Sequence, residues 1–236
     1  FSRSMPTTTM ASRRASESVL RSIFDGSGTP FLRDIAPGEL VEAGDDGLHT
    51  LLPPSLRSRA LCALEPLAAA RADSVLDGIA VSSLRGRAGS LLAFGHAVKA
   101  DVVAALPGAP ADAALGYAQQ TGIPFADVFV ENRYAAGFFA ACPTRPFSPV
   151  AAAVRGKRVV LVGDRADAEA VALLRACGAR EVHLRVFVPV CSESCRYGGA
   201  PRPDSGDGGA DTVGYLSARQ IHLLADGLCT ACMERA

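Results

Sequence analysis

The chain has 236 residues, enough for one or two domains, and its 24 Lys and Arg balance 24 Asp and Glu to a formal net charge of +0. That balance argues against a broad phosphate-neutralising surface, and so against nucleic-acid binding. With 49% apolar residues the chain can bury a core, which excludes wholesale disorder, yet no apolar run reaches the roughly 18 residues of a membrane span.

Phe1 to Ser4 read as an expression scar ahead of a native start at Met5. Met5 to about Ser27 is rich in Ser, Thr and Arg and reads as a frayed arm, with no hydrophobic segment of the signal-peptide kind. The expectation is a cytoplasmic protein with no membrane partner. Val41 to Leu51 reads as a hairpin over Gly44-Asp45-Asp46-Gly47, because Asp and Gly tolerate tight turns. Ser58 to Arg71 is helical by propensity, and Ser82 to Val98 reads as an amphipathic helix.

The middle of the chain has a clearer rhythm. Asp101 to Leu106 is a short apolar strand closed by Pro107-Gly108, followed by an Ala-rich helix over Ala111 to Thr121. Phe125 to Val130 and Lys157 to Val162 read as further strands. A helix over Ala166 to Cys177, a stop at Gly178 and a strand over Glu181 to Val188 complete the pattern. Short apolar strands alternating with helices imply βαβ units, and hence an α/β fold with a parallel sheet covered on both faces. Ligands of such sheets bind at the carboxyl ends of the strands, here the loops after Leu106 and Val162. Gly198 to Asp211 is Gly-, Pro- and Asp-rich and reads as a flexible linker, and Ser217 to Gly227 as a last helix.

Seven cysteines stand out in a chain expected to meet a reducing compartment, where metal or redox chemistry is the better reading than structural disulfides. Cys142 and Cys177 lie in Ala-rich surroundings and read as ordinary core residues. His183 and His222 fall on an expected strand and helix and read as packing or surface groups rather than ligands.

Several stretches together resemble one family. They are Phe31 to Glu39, Arg71-Ala72-Asp73-Ser74 with Asp77-Gly78-Ile79, Gly116-Tyr117-Ala118 through Pro124, Asn132-Arg133-Tyr134, Gly156 to Val162, and Gly178 to His183. In this order, over most of the chain from Phe31 to Cys232, they resemble the glutamine phosphoribosylpyrophosphate amidotransferases, which make phosphoribosylamine in purine synthesis. The resemblance implies a type I phosphoribosyltransferase-like fold. It divides the chain into an expression scar and arm (1–30), a short hairpin remnant resembling the end of the family's glutaminase domain (31–55), a phosphoribosyltransferase-like domain (56–197), and a linker with a C-terminal cluster-binding helix (198–236).

The departures from the family bear on function. The family's N-terminal nucleophilic cysteine has no counterpart, the first cysteine being Cys62, so glutamine hydrolysis is expected only from a partner. The family's sugar-phosphate loop carries two aspartates and a Gly-Thr-Thr turn that cradles the 5-phosphate. Here the loop is short, only Asp164 matches, and Asp167 and Glu169 add negative charge. The pyrophosphate loop reads Gly108-Ala109-Pro110, which removes hydroxyl donors and one backbone N–H. The resemblance leaves Asp164, Arg133 and Tyr134 as substrate-binding candidates, with ordinary phosphoribosyl transfer expected to be lost.

The cysteines match better. One branch of the family holds a [4Fe-4S] cluster with four cysteines, and the resemblance implies Cys62, Cys195, Cys229 and Cys232 as its ligands here. Four thiolates suit such a cluster, and they would also suit zinc. Cys191 could replace Cys195 as a ligand. The cluster is expected to tie the tail to the sheet, across a linker too flexible to hold the last helix by itself. The functional expectation is a glutaminase-less, repurposed [4Fe-4S] protein in a specialised biosynthetic pathway, a homo-oligomer or partner subunit that could take a small-molecule ligand. Two alternatives stand beside it: an enzyme using the cluster or a cysteine for sulfur or small-substrate chemistry in the old cleft, and a surviving transferase fed with external ammonia.

Overall fold

The computed structural model describes residues 33, 35–55, 60–132, 146–191, 195 and 206–233. The N-terminal arm, Arg133, Tyr134 and Cys142 lie outside the described residues.

Strands β1 (Leu40–Gly44) and β2 (Gly47–Leu52) form the expected antiparallel hairpin, closed by Asp45-Asp46. Glu39 anchors its base: it accepts from Arg33 at 2.8 Å, from the Ala36 amide and from Thr50. The Arg33 hydrogen bonds, followed by that of Ala36, lower the Glu39 carboxyl to about 2. Beyond the hairpin the expected helix over Ser58 to Arg71 is replaced by something shorter. A two-residue strand β3 (Leu61–Cys62) leads into a π-helical turn, Glu65–Ala69. β3 pairs in parallel with the last strand of the chain, so tertiary pairing overrides the local helical propensity. β4 (Val75–Leu76) and β5 (Ile79–Ala80) make a tight hairpin through Asp77 and Gly78, both at positive φ, as Asp-Gly turns favour.

Helix α1 (Val81–Gly95), strand β6 (Val102–Ala105) and helix α2 (Asp112–Thr121) follow close to the sequence reading. The expected strand over Phe125 to Val130 is not one strand. Phe125 makes a single parallel bridge to Val103, and β7 (Phe129–Glu131) then pairs with β8 (Phe147–Pro149), away from the main sheet. A short helix α3 (Ala151–Val154) leads to β9 (Arg158–Gly163), helix α4 (Ala168–Ala176) and β10 (Glu181–Val186). β11 (Thr212–Tyr215), absent from the sequence reading, adds a parallel edge strand. Helix α5 (Ala218–His222) and β12 (Leu228–Cys229) end the described chain.

The main sheet has the order β11-β10-β9-β6, all parallel. Alternate residues serve opposite faces, as the strand period of two requires. Val103, Val160 and Val162 join Leu92, Tyr117, Ile221 and Leu228 on one side. Val159, Leu161, Val182 and Leu184 join Val171 and Leu174 on the other. The fold is α/β, as expected, with a type I phosphoribosyltransferase-like parallel sheet flanked by helices. The tail is packed more firmly than expected: Ile221, Leu224, Leu228 and Met233 are buried in the core, and β12 is paired with β3. Apolar burial and strand pairing therefore contribute to holding the tail. Among the described residues no helix is long and apolar enough to cross a membrane.

Two glycines set the distance between α1 and α2. A Cβ on Gly89 would stand 1.8 Å from the Ala113 carbonyl oxygen, and one on Gly116 would stand 1.9 Å from that of Gly86. The backbones meet where only hydrogen fits, and the Ser90 hydroxyl donates to the Gly116 carbonyl across the contact at 3.2 Å. Overpacking of this kind costs about 1–3 kcal/mol. Gly89→Ala and Gly116→Ala should each lower the melting temperature by several degrees in a thermal scan, whereas Gly86→Ala, whose Cβ would meet nothing closer than 3.8 Å, should cost far less.

His183 on β10 is buried, with Nδ1 3.0 Å from the Thr212 hydroxyl. Its Nε2 makes no hydrogen bond, the Glu181 carboxylate at 3.4 Å lacking the geometry for one. Burial first, then the neighbouring Arg185, push the imidazole below its ordinary value, against the opposing pull of Glu181 and Asp211. A histidine depressed in the fold contributes stability at neutral pH that is lost as the pH falls through the unfolded value of about 6.5 and on towards the folded one. Denaturant titrations should show stability declining below about pH 6.5, and His183→Gln should flatten that decline.

Candidate functional site

Cys62 and Cys229 are brought side by side by backbone pairing. Leu61 donates its amide to Gly227 at 2.9 Å, Ala63 donates to Cys229 at 3.2 Å, and Cys62 stands opposite Cys229 in the parallel register. Hydrogen bonds from the amides of Leu64 and Glu65, opening the π-helical turn, favour the ionised Cys62 sulfur. Burial raises that thiol more strongly, and the neighbouring Cys232 and Cys195 raise it further, although the residue as a whole keeps solvent contact. The π-helical turn is itself fastened by Arg85, a buried residue of α1 whose guanidinium donates to the carbonyls of Leu67 at 2.9 Å and Ala70 at 2.6 Å.

Cys232 completes the neighbourhood. Its sulfur lies 3.9 Å from that of Cys191, which is buried at the end of β10's connection. Burial, followed by Cys191, pushes the Cys232 thiol up to about 11. Five cysteines, 62, 191, 195, 229 and 232, thus share one end of the core. Among the described residues no three His, Cys, Asp or Glu side chains are grouped tightly enough to hold a single metal ion. In their chemistry, four thiols suit either a tetrahedral zinc ion or a four-iron cluster. His183 lies in the sheet with its Nδ1 beside the Thr212 hydroxyl. His222 instead meets the Thr230 hydroxyl at 3.0 Å, linking α5 to the tail.

The carboxyl edge of the sheet is the second candidate. Leu106 continues the β6·β9 pairing by donating its amide to Val162 at 2.8 Å, before the Pro107-Gly108 turn. A Cβ on Gly163 would lie 2.6 Å from that of Leu106, so the Leu106 side chain already fills the place where a side chain at 163 would go. Asp164 follows, paired with Arg165 at 3.0 Å. The Arg165 guanidinium also reaches the Pro107 carbonyl at 3.3 Å and Asp167 at 3.4 Å, and so straddles the two loops. Asp167, rather than Asp164, caps helix α4, accepting from the Ala170 amide at 3.0 Å. The cavity here, lined by Pro107, Phe147, Asp167 and Glu169, measures about 60 Å³. Ligand pockets commonly run to about 300–1,000 Å³. Larger hollows of about 620 Å³ lie elsewhere, one near Phe94 and Lys99, the other near Tyr215 and Arg219. Sequence reading missed both Arg165's bridging and the Leu106–Gly163 contact. An arginine between two acids was the available signal for the first, and the second had none.

No family model matches the chain. Among curated proteins it is similar to the amidophosphoribosyltransferase of Bacillus subtilis, 36% identical over 189 residues, which cover 74% of this chain and 40% of that protein. The amidophosphoribosyltransferase of Methanocaldococcus jannaschii is 34% identical over 248 residues, covering 86% of this chain and 52% of that protein. The chain therefore spans about half the length of the curated relatives it matches. Among solved structures, the glutamine phosphoribosylpyrophosphate amidotransferase from B. subtilis complexed with ADP and GMP superposes with a TM-score of 0.78 at 32% identity. That match covers 90% of this chain and 54% of that one. A second structure, titled as the allosteric regulatory enzyme of purine biosynthesis, gives the same TM-score of 0.78 at 31% identity. With sequence identity of this length carried on the same fold, the chain belongs to the amidophosphoribosyltransferase family.

Proposed function

We infer that this chain is a [4Fe-4S]-binding member of its family in which phosphoribosyl pyrophosphate transfer has lapsed, and that it serves a specialised biosynthetic pathway as a homo-oligomer or partner subunit. The observation that carries the reading is the pairing of β3 with β12, which sets Cys62 beside Cys229 with Cys195 and Cys232 close by. Cys62, Cys195, Cys229 and Cys232 would hold the cluster, which when bound supplies four iron–thiolate links between the β3 segment, the end of the sheet and the tail. Cys191 is a fifth thiol in the same neighbourhood. The chain's own residues do the rest: the amides of Leu64 and Glu65 face the Cys62 sulfur, and Arg85 holds their turn in place.

The carboxyl edge supports the reading that transfer has lapsed. Asp164, Asp167 and Glu169 lie close in sequence to Arg165, which is engaged by the first two. An anionic sugar pyrophosphate would have to separate these pairs without gaining the hydroxyl donors of a phosphate cradle. Each missing charge-assisted phosphate contact costs roughly 1.5–3 kcal/mol.

Protein purified without oxygen should be brown and contain about four iron and four sulfide per chain. Replacing Cys62, Cys195, Cys229 or Cys232 with Ser should each bleach it, and stoichiometric zinc without sulfide would overturn the cluster. Calorimetry with phosphoribosyl pyrophosphate and magnesium should give a Kd no tighter than about 1 mM, or about −4 kcal/mol. Binding in the micromolar range, about −8 kcal/mol, would restore the transferase.

A further inference from the structure

Cys191 is not among the four cysteines proposed as ligands, yet its sulfur meets that of one of them. Its sulfur lies 3.9 Å from that of Cys232. Both belong to one apolar neighbourhood: Cys191 is 1% exposed within the core, and Cys232 packs against that core from the tail. They stand 41 positions apart, one just beyond β10 and the other just beyond β12. Two sulfurs at this distance need to close to about 2.05 Å to bond.

We propose that Cys191 and Cys232 form a reversible disulfide that takes Cys232 out of the ligand set. The oxidant is a small-molecule disulfide of the glutathione class. Cys232, the more accessible of the two, loses its proton and attacks one sulfur of glutathione disulfide as its thiolate, expelling one glutathione thiolate; with its thiol raised to about 11 the thiolate is scarce and the step slow. Cys191 then loses its proton and attacks the Cys232 sulfur of this mixed disulfide, which expels the second glutathione. Two cysteine thiols are oxidised, one glutathione disulfide is reduced to two glutathiones, and the two protons released are taken up by the leaving thiolates. The burial of Cys191 gives the order, since a tripeptide disulfide reaches the tail before it reaches the core. The bond closes a loop from the end of the sheet to the tail and so constrains the unfolded chain. The disulfide does not depend on the cluster. Its consequence, that oxidation and cluster loading exclude one another, rests on the cluster reading above.

The test uses the full chain, isolated without oxygen, freed of iron by chelation and equilibrated in glutathione buffers from reducing to oxidising. Remaining thiols are alkylated and the proteolytic peptides mapped by mass. Oxidising buffer should yield a peptide pair joining Cys191 to Cys232, lighter by two hydrogens than its separate halves and lost again on return to reducing buffer. In Cys191→Ala, Cys232 should instead carry a glutathione adduct. Cys232 joined to Cys195 or Cys229 in the unaltered chain, or both thiols alkylated across the whole range, would overturn the proposal. In reconstitution, the oxidised chain should take up several-fold less iron and sulfide than the reduced chain. Equal uptake by the two would overturn the exclusion while leaving the disulfide in place, and no uptake by the reduced chain would count against the cluster itself.

Discussion

Strand β9 must be covered on both faces, and the rest of the molecule is arranged around that need. Val159 to Gly163 are buried between β6 and β10, with apolar side chains projecting alternately to either side. A strand buried on both faces needs a layer above and a layer below. Helix α4 supplies one, while α1, α2 and the tail supply the other. The second layer is the more demanding. It admits α1 and α2 together only because Gly89 and Gly116 let their backbones touch, and it is completed by Ile221, Leu224, Leu228 and Met233 from the end of the chain. The cysteine neighbourhood is a consequence of this packing, because burying the tail brings β12 to β3.

This arrangement would let the fold persist while the loops at the strand ends vary. The residues that bury the sheet are apolar and lie within the strands and helices, whereas ligand contacts in such sheets belong to the loops at the strand ends. Changes at Gly108-Ala109-Pro110 or from Gly163 to Glu169 therefore leave β6 and β9 paired in full register. These loops have internal partners. Leu106 occupies the space beside Gly163, Arg165 joins the two loops, and Asp167 caps α4. Several polar groups at these strand ends are thus partnered within the protein.

Arg85 and Arg185 show a different use of charge. Both are buried, and burial is the largest influence on each, pulling the guanidinium below its ordinary value. Neither is printed by the sequence as a core residue. Arg85 is kept by carbonyls at the end of the π-helical turn, and Arg185 by the carbonyls of His96 and Leu184 and the Thr212 hydroxyl. Five donors in a fixed fork let one side chain satisfy several carbonyls that regular structure leaves unpaired. In each case the guanidinium joins a helix or strand to an irregular segment.

The hairpin over Gly44 to Gly47, the alternation of strand and helix from Asp101 to Val188, and the family relationship were legible in the sequence, because each rests on local pattern: turn residues, apolar periodicity, or motifs in order. The four cysteines expected as ligands were named from the family resemblance. What sequence could not settle depends on partners distant in the chain. Leu61–Cys62 looked helical and became a strand because Leu228–Cys229 offered it a backbone to pair with. Phe125 to Val130 looked like one strand and was divided between two pairings, one with Val103 and one with β8. The approach of Cys191 to Cys232, the grip of Arg165 on both loops and the filling of the space at Gly163 by Leu106 have no local signature. Sequence determined which elements could form and which residues could do chemistry. Tertiary structure decided which of them meet, because burial and backbone pairing act between segments whose proximity no short-range pattern encodes.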